Sequence, residues 1–140
     1  MPFGYVVPFD PETVWSFLQG DEEVCIDTAV VTGNIGIWGA WTQLVAATTE
    51  DIYWYRVDYH EPNNAGTEGI SYQLGIGAAA AEEAVAGGSM GNHDGTEDVG
   101  WGGDAGPCYI PAGSRVTMRL RNETANAVTL RVNCRGRTAP

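Results

Sequence analysis

The sequence has no lysine, only two histidines and three cysteines, and no long hydrophobic run among its 140 residues. A membrane-spanning helix needs about 20 apolar residues in succession, so we expect no membrane association. The opening residues, Met-Pro-Phe-Gly-Tyr-Val-Val-Pro, lack the basic stretch of a secretory signal, so we expect no export. The spacing of the three cysteines, Cys25, Cys108 and Cys134, matches no zinc-binding motif. The sequence does not decide whether Cys108 and Cys134 form a disulfide.

Positive charge is also scarce. Seven basic residues, all arginines, stand against 18 acidic ones, which gives a net charge of −11. Such a chain does not neutralise phosphates, so we expect no nucleic-acid partner. The charge is uneven, because residues 1–114 hold every acid except Glu123 and only one arginine, Arg56. Either the basic end pairs with copies of the chain or with an acidic partner, or its arginines are solvated in a protein from a lysine-avoiding source.

Hydrophobic residues make up 44% of the chain, which is enough for one well-buried core. From residue 24 onward they recur with period two, as in β-strands. We predict an all-β, jelly-roll-like sandwich over residues 24–140, preceded by an N-terminal arm of residues 1–23. In the arm, Asp10 as N-cap, Pro11 in the first turn and Gly20 at the end predict a short helix over residues 9–20.

The clearest strands lie near the C-terminus. Apolar and polar residues alternate strictly over 115–121 and again over 128–134, with turn-forming residues between them. We predict an antiparallel hairpin in which Leu120 opposes Val128 and Met118 opposes Leu130. Its apolar face would be buried, and its outer face would carry four arginines, Arg115, Arg119, Arg121 and Arg131.

Further strands are predicted over 51–59 and 70–76, with less regular ones over 24–32 and 41–47. Residues 78–86 have helical composition but are flanked by glycines. The glycine cluster at 100–106 is typical of a turn, and residues 87–106 are predicted to form a long loop rich in glycine and acids.

No catalytic set of residues emerges. Residues 87–91 match Gly-x-Ser-x-Gly, but the residues after them are turn-forming, whereas a hydrolase needs a helix there. Residues 75–80 match a dinucleotide-binding fingerprint without a second strand–helix–strand unit. Asp58, His60 and Glu61 lack the further ligands that a metal site needs. We therefore expect a protein that is not an enzyme and has no cofactor, apart from one candidate ion.

That ion is calcium, which prefers oxygen ligands. Carboxylates are dense in the glycine-rich loop, but their spacing fits no known calcium-binding loop, so a solvated acidic loop is the competing interpretation. The candidate ligands are Asp94, Glu97, Asp98 and Asp104, with Asn92 beside them.

Four stretches point to a family. They are Gly39-Ala40-Trp41-Thr42-Gln43-Leu44-Val45-Ala46, Ile52-Tyr53-Trp54-Tyr55, Tyr72-Gln73-Leu74-Gly75-Ile76-Gly77-Ala78-Ala79 with Glu82-Glu83, and Tyr109-Ile110-Pro111-Ala112-Gly113-Ser114-Arg115-Val116. In this order they resemble small β-rich virion proteins of tailed bacterial or archaeal viruses, which repeat the phrases GxWxxLxAST, xxLGIGAAGxE and IPAGxRVAxR. The resemblance covers roughly residues 36–135. The loops 60–68 and 87–106 and the acidity depart from it.

The resemblance implies a structural subunit displayed on a virion, most simply a capsid decoration protein assembled in the host cytoplasm. Its partners would be the major capsid protein or other virion proteins and further copies of itself, with a trimer favoured. The arm would dock on a neighbour through its apolar residues Val14, Trp15, Phe17 and Leu18, and the arginine face would meet an acidic neighbour. The alternative is a glycan-binding neck or tail module, adhesin-like, with Trp54, Trp101 and the loop acids as its site.

Overall fold

The computed structural model describes residues 28–61, 69–90, 100–123 and 127–138. They form eight strands, and every pairing between strands is antiparallel. The strands are β1 (Thr28–Val31), β2 (Thr42–Val45), β3 (Ile52–Glu61), β4 (Ser71–Ile76), β5 (Glu83–Ser89), β6 (Gly100–Ile110), β7 (Val116–Arg121) and β8 (Thr129–Arg137).

The strands make two four-stranded sheets. Sheet A has the order β1-β8-β3-β6, and sheet B has the order β2-β7-β4-β5. Consecutive strands therefore lie in opposite sheets, except for β4 and β5, which pair as a hairpin in sheet B; this is the double Greek key of a jelly roll. The all-β sandwich expected from the sequence is confirmed.

The described ranges contain no helix, and hence none long and apolar enough to cross a membrane. The helix expected over 9–20 and the arm of residues 1–23 lie outside the described residues.

One hydrophobic core fills the space between the sheets. Tyr72, Leu74, Met118, Leu130 and Val132 are fully buried in it, and they come from both sheets. Burial of apolar surface stabilises a folded chain by about 25 cal/mol for each Å². This core is therefore the main stabilising contribution.

The predicted C-terminal hairpin is wrong, although its inward-facing residues are correct. β7 pairs with β2 and β4 in sheet B, whereas β8 pairs with β1 and β3 in sheet A. Alternation shows which side chains turn inward but not which strand lies alongside. In the sandwich, Met118 projects into the core from sheet B and Leu130 projects into it from sheet A. Both side chains are buried as fully as they would be on the covered side of a hairpin.

A buried polar contact fixes the crossing between β7 and β8. The Asn122 side-chain amide donates to Thr32 Oγ1 at 2.7 Å, and the Val128 backbone N–H donates to the same oxygen at 3.1 Å. Thr32 and Asn122 are both buried. Gly36 N–H also donates to the Asn122 carbonyl at 2.8 Å, so the segment after β7 is fastened to the segment after β1.

The strands predicted over 51–59 and 70–76 are confirmed as β3 and β4. Bulges explain where alternation was irregular. The register of β3 against β6 shifts between Ile52 and Trp54, and Ile52 and Tyr55 are both buried. In β2 a shift between Gln43 and Val45 buries Leu44 and Val45 in succession.

Two composition-based expectations are wrong. The helix-like run over 78–86 is a turn followed by β5, since Ala80 has a φ of 68°, which no α-helix accommodates. The glycine cluster at 100–106 is part of β6, paired along β3. There Gly103 lies against the Asp58 side chain, which leaves no room for a Cβ. Cys108 and Cys134 are not joined by a disulfide.

A polar network ties the two sheets together inside this core. Tyr72 of sheet B donates its hydroxyl to Asp104 Oδ2 of sheet A at 2.7 Å, and the hydroxyls of Tyr72 and Tyr55 are hydrogen-bonded. Burial, together with hydrogen bonds to Tyr55 and Asp104, raises the pKa of Tyr72 far above its ordinary value. Burial raises the pKa of Tyr55 as well.

This network predicts sensitivity to alkali. Unfolded tyrosines ionise near pH ~10, whereas folded Tyr72 keeps its proton, so the free energy of unfolding should be unaffected by this group below that pH and fall above it. The slope from Tyr72 is about 1.4 kcal/mol per pH unit. Urea unfolding of Tyr72→Phe should show that slope removed, together with a loss of about 1–3 kcal/mol at neutral pH from the unpaired Asp104.

Tyr109→Phe, which removes a hydroxyl from an exposed ring outside the network, is the matched control. An unchanged alkaline slope in Tyr72→Phe would contradict the role given to this network.

Candidate interaction faces

The outer surface of sheet B carries arginines, tryptophans and glutamines. Side chains alternate along β7, and Met118 and Leu120 point into the core. The side chains of Arg119 and Arg121 therefore point away from it. Arg115, just before β7, lies on the same side. We call this surface the sheet B face, made of Trp38, Trp41, Gln43, Gln73, Arg115, Arg119 and Arg121.

Arg119 is at its centre, held by two aromatic rings. Its guanidinium carbon lies 4.5 Å from the ring centre of Trp41 and 5.0 Å from that of Trp38. Its Nε donates to Gln73 Oε1 at 2.8 Å. Among the described residues the ion pairs involve other arginines, so this cation is positioned by π faces and an amide oxygen. Its positive charge stays available to a partner.

Arg115 has a different role, because its charge is paired with the Glu82 carboxylate. Its guanidinium donates to Gln43 Oε1 at 2.8 Å, to the Gly77 carbonyl at 3.1 Å and to Glu82 Oε1 at 2.9 Å. This hydrogen bond from Arg115 holds the pKa of the Glu82 carboxyl below its usual range. Arg115 therefore fastens β2 and the turn after β4 to the start of β7.

Arg121 borders a shallow depression at the other end of the face. Its guanidinium lies 4.9 Å from the Trp38 ring centre, and its Nε is 3.0 Å from Glu123 Oε1. The depression has room for about 300 Å³ and is lined by Trp38, Ser71, Tyr72, Gln73, Gly87, Gly88 and Arg121.

The outer surface of sheet A is the second candidate. Its strand register places Arg135 of β8 beside Arg56 of β3, and Arg137 beside Trp54. The Arg137 guanidinium lies 5.8 Å from the Trp54 ring centre, and Arg56 Nε is 3.4 Å from Asp58 Oδ2. We call this surface the sheet A face, made of Trp54, Arg56, Asp58, Arg131, Arg135 and Arg137.

The expected single face with four arginines is therefore wrong. Arg115, Arg119 and Arg121 share the sheet B face, but Arg131 lies on β8 in the opposite sheet. The error follows from the hairpin prediction, since β7 and β8 separate into different sheets. The expected arm contacts, Val14, Trp15, Phe17 and Leu18, lie outside the described residues.

Of the expected calcium ligands, only one lies among the described residues. Asp94, Glu97 and Asp98 lie outside the described residues. Asp104 faces inward and accepts the hydrogen bond from Tyr72, so its carboxylate is part of the core network. Among the described residues no group of three or more histidines, cysteines or acids is arranged to hold a metal ion.

Three of the four stretches singled out in the sequence meet on the sheet B face, whereas Ile52–Tyr55 lies in β3 of sheet A. Trp41 of the first stretch covers Gly75 of the third, where an added Cβ would lie 2.8 Å from the Trp41 ring. Arg115 of the fourth stretch binds Glu82, and Arg119, three residues beyond that stretch, stacks on Trp41. Segments that are far apart in sequence thus build one surface.

Sequence reasoning found Arg119 but not the residues that hold it. Trp38 and Trp41 precede β2 or lie at its edge, and period-two analysis of a strand says nothing about a neighbouring loop. The available signal was Gly75, a glycine in the middle of a strand, which often marks a close approach by another group. Arg56, Arg135 and Arg137 were missed as a group because β3 and β8 are far apart in sequence.

Comparison with known proteins adds little. No protein-family model matches the sequence, and no curated protein matches it. Among solved structures it is similar to Eiger TNF from S. frugiperda, with 17% identity over 66% of this chain and a TM-score of 0.40. It is also similar to the CBM22-1 xylan-binding domain from Paenibacillus barcinonensis Xyn10C, with 17% identity over 78% of this chain and 71% of that one, and a TM-score of 0.43. The chain spans 60% of the Eiger TNF chain.

The contact between Gly75 and Trp41 predicts the effect of one methyl group. Gly75→Ala should push the Trp41 ring off Arg119, shift tryptophan emission and lower the free energy of unfolding by about 1–3 kcal/mol. Gly106→Ala is the control, because its Cβ would meet the Tyr55 ring at an ordinary 3.5 Å. Equal emission spectra and equal urea midpoints for the two variants would contradict this arrangement.

Proposed function

We propose that the chain is a structural subunit of a tailed-virus particle, most simply a capsid decoration protein, and that it docks through the sheet B face. The observation that carries the proposal is that three of the four virion-like stretches meet on this face, where Trp41 covers Gly75 and Arg115 binds Glu82, with Arg119 stacked beside them. In this proposal residues 1–23 are an N-terminal arm with a helix over 9–20, and the chain is a homo-oligomer, with a trimer favoured by the resemblance.

The geometry of the face suits docking on an acidic neighbour. Arg119 is already held between two rings, so little side-chain entropy is lost when it meets a carboxylate. The Trp38 and Trp41 rings supply flat apolar area beside that charge, a combination typical of residues that dominate binding energy. Arg115 and its three acceptors keep the edge of the face rigid. This function needs no catalytic step and no cofactor.

A second function is favoured by the depression beside Arg121. The half-buried Trp38, next to the Gln73 amide, a serine and a guanidinium, offers the stacking surface and the polar groups that a sugar ring requires. The chain would then be a glycan-binding neck or tail module. Its site would be this depression on the sheet B face, whereas Trp54 lies on the sheet A face. An arrayed glycan screen with Trp38→Ala as control separates the two functions.

The docking proposal is tested by the same charge reversal on opposite faces. Arg119→Glu and Arg131→Glu each change the charge by two units, one on the sheet B face and one on the sheet A face. In co-sedimentation with purified particles at low salt, we expect Arg119→Glu to bind at least about tenfold more weakly and Arg131→Glu to bind like the original chain.

Because exposed charges are screened by salt, the difference between the variants should shrink as ionic strength rises. Thermal melting of both variants shows whether each is folded. Undiminished binding by folded Arg119→Glu, or a loss confined to Arg131→Glu, would refute docking through the sheet B face.

A further inference from the structure

We propose that the acidic N-terminal segment, residues 1–27, binds to the sheet A face of its own chain. This goes beyond the proposed function, which uses the opposite sheet. It also gives the segment an intramolecular partner in place of the neighbouring subunit expected from the sequence.

The sheet A face is a concentrated positive surface in an acidic chain. Four of the seven arginines point outward there, with Asp58 as the one acid placed among them in the described part of the strands. The Arg56 side chain is 52% exposed. Arg137 Nε is buried and has no hydrogen-bond partner among the described residues, which leaves a costly polar atom in need of an acceptor. An anionic group bound to this face would offset its positive charge and supply the missing acceptor.

The chain enters the structure at this face. β1 is at the edge of sheet A, and Thr28 lies opposite Val132 while Val31 lies opposite Thr129. Because the pairing is antiparallel, Thr28 at the N-terminal end of β1 is the β1 residue nearest the C-terminal half of β8. Arg135 and Arg137 lie on that half, so the segment begins beside the arginines that it is proposed to meet.

The segment has the matching charge and sufficient length. Residues 1–27 contain no basic residue and six acids, Asp10, Glu12, Asp21, Glu22, Glu23 and Asp27. An extended chain spans about 3.3 Å per residue, so residues 21–23 lie within about 16–23 Å of Thr28. That distance is about the length of the five residues of β8 beyond Val132. Carboxylates can thus reach every arginine of the face.

An intramolecular partner is favoured over a second copy. A segment tethered next to the face has an effective concentration in the millimolar range for a short linker. The same segment of a second copy is present only at the concentration of the protein. We therefore assign the face to the segment of the same chain.

Hydrogen–deuterium exchange of residues 1–27 in the full chain tests this assignment. We expect those amides to be protected relative to a free peptide of the same sequence. Arg56→Gln together with Arg135→Gln should reduce the protection about three- to tenfold, as should high salt. Arg119→Gln with Arg121→Gln, on the sheet B face, is the matched control and should leave the exchange unchanged.

Neutralising the segment completes the test. Asp21→Asn with Glu22→Gln and Glu23→Gln should cause the same loss of protection, and the combined variant should lose little more, because both changes remove one interaction. Free-peptide exchange rates in the original chain, or equal effects of the two arginine pairs, would overturn the proposal. Protection that disappears on dilution would assign the face to a second copy and overturn it too. None of these readouts uses virus particles, so a failure here is distinct from a failure of the docking proposal.

Discussion

The arrangement of this molecule depends on one constraint, the burial of every second side chain between two facing sheets. A guanidinium cannot enter such a core without a large loss of hydration, so each arginine occupies an outward position on its strand or next to it. All seven arginines consequently lie on the two outer faces. The inward positions hold mostly aliphatic and aromatic side chains, and among the polar groups there Tyr55, Tyr72 and Asp104 hydrogen-bond one another. The charge pattern of the surface is a result of how the core is built.

This constraint explains which features could be predicted. The period-two pattern is local, and it correctly predicted the strands β3, β4, β7 and β8 and the buried sides of β7 and β8. The partner of each strand is a tertiary property. Met118 and Leu130 are equally well buried whether their strands are adjacent or in opposite sheets, so the pattern does not distinguish a hairpin from a sandwich. The contact between Asn122 and Thr32 decides between them, and it joins residues 90 positions apart.

Predictions from amino-acid composition were wrong where a glycine allows another side chain to approach the backbone closely. The glycines of β6 indicated a turn, yet they form a strand along β3, and at Gly103 the Asp58 side chain leaves no room for a Cβ. The same reasoning applies on the sheet B face, where Gly75 admits the ring of Trp41. Arg119 could be nominated from the sequence as an outward cation. Its placement between two tryptophans could not, because Trp38 comes from a loop outside any periodic pattern.

In the function that we propose, the sandwich docks on a virus shell through its sheet B face. This central claim is most directly tested by the copy number of this chain in virus particles purified from its source, determined by quantitative mass spectrometry. The account predicts a fixed stoichiometry of hundreds of copies per particle, as a subunit that covers a shell requires, on the order of the copy number of the shell protein. A few copies would contradict shell decoration, and complete absence of the chain would contradict the virion function itself.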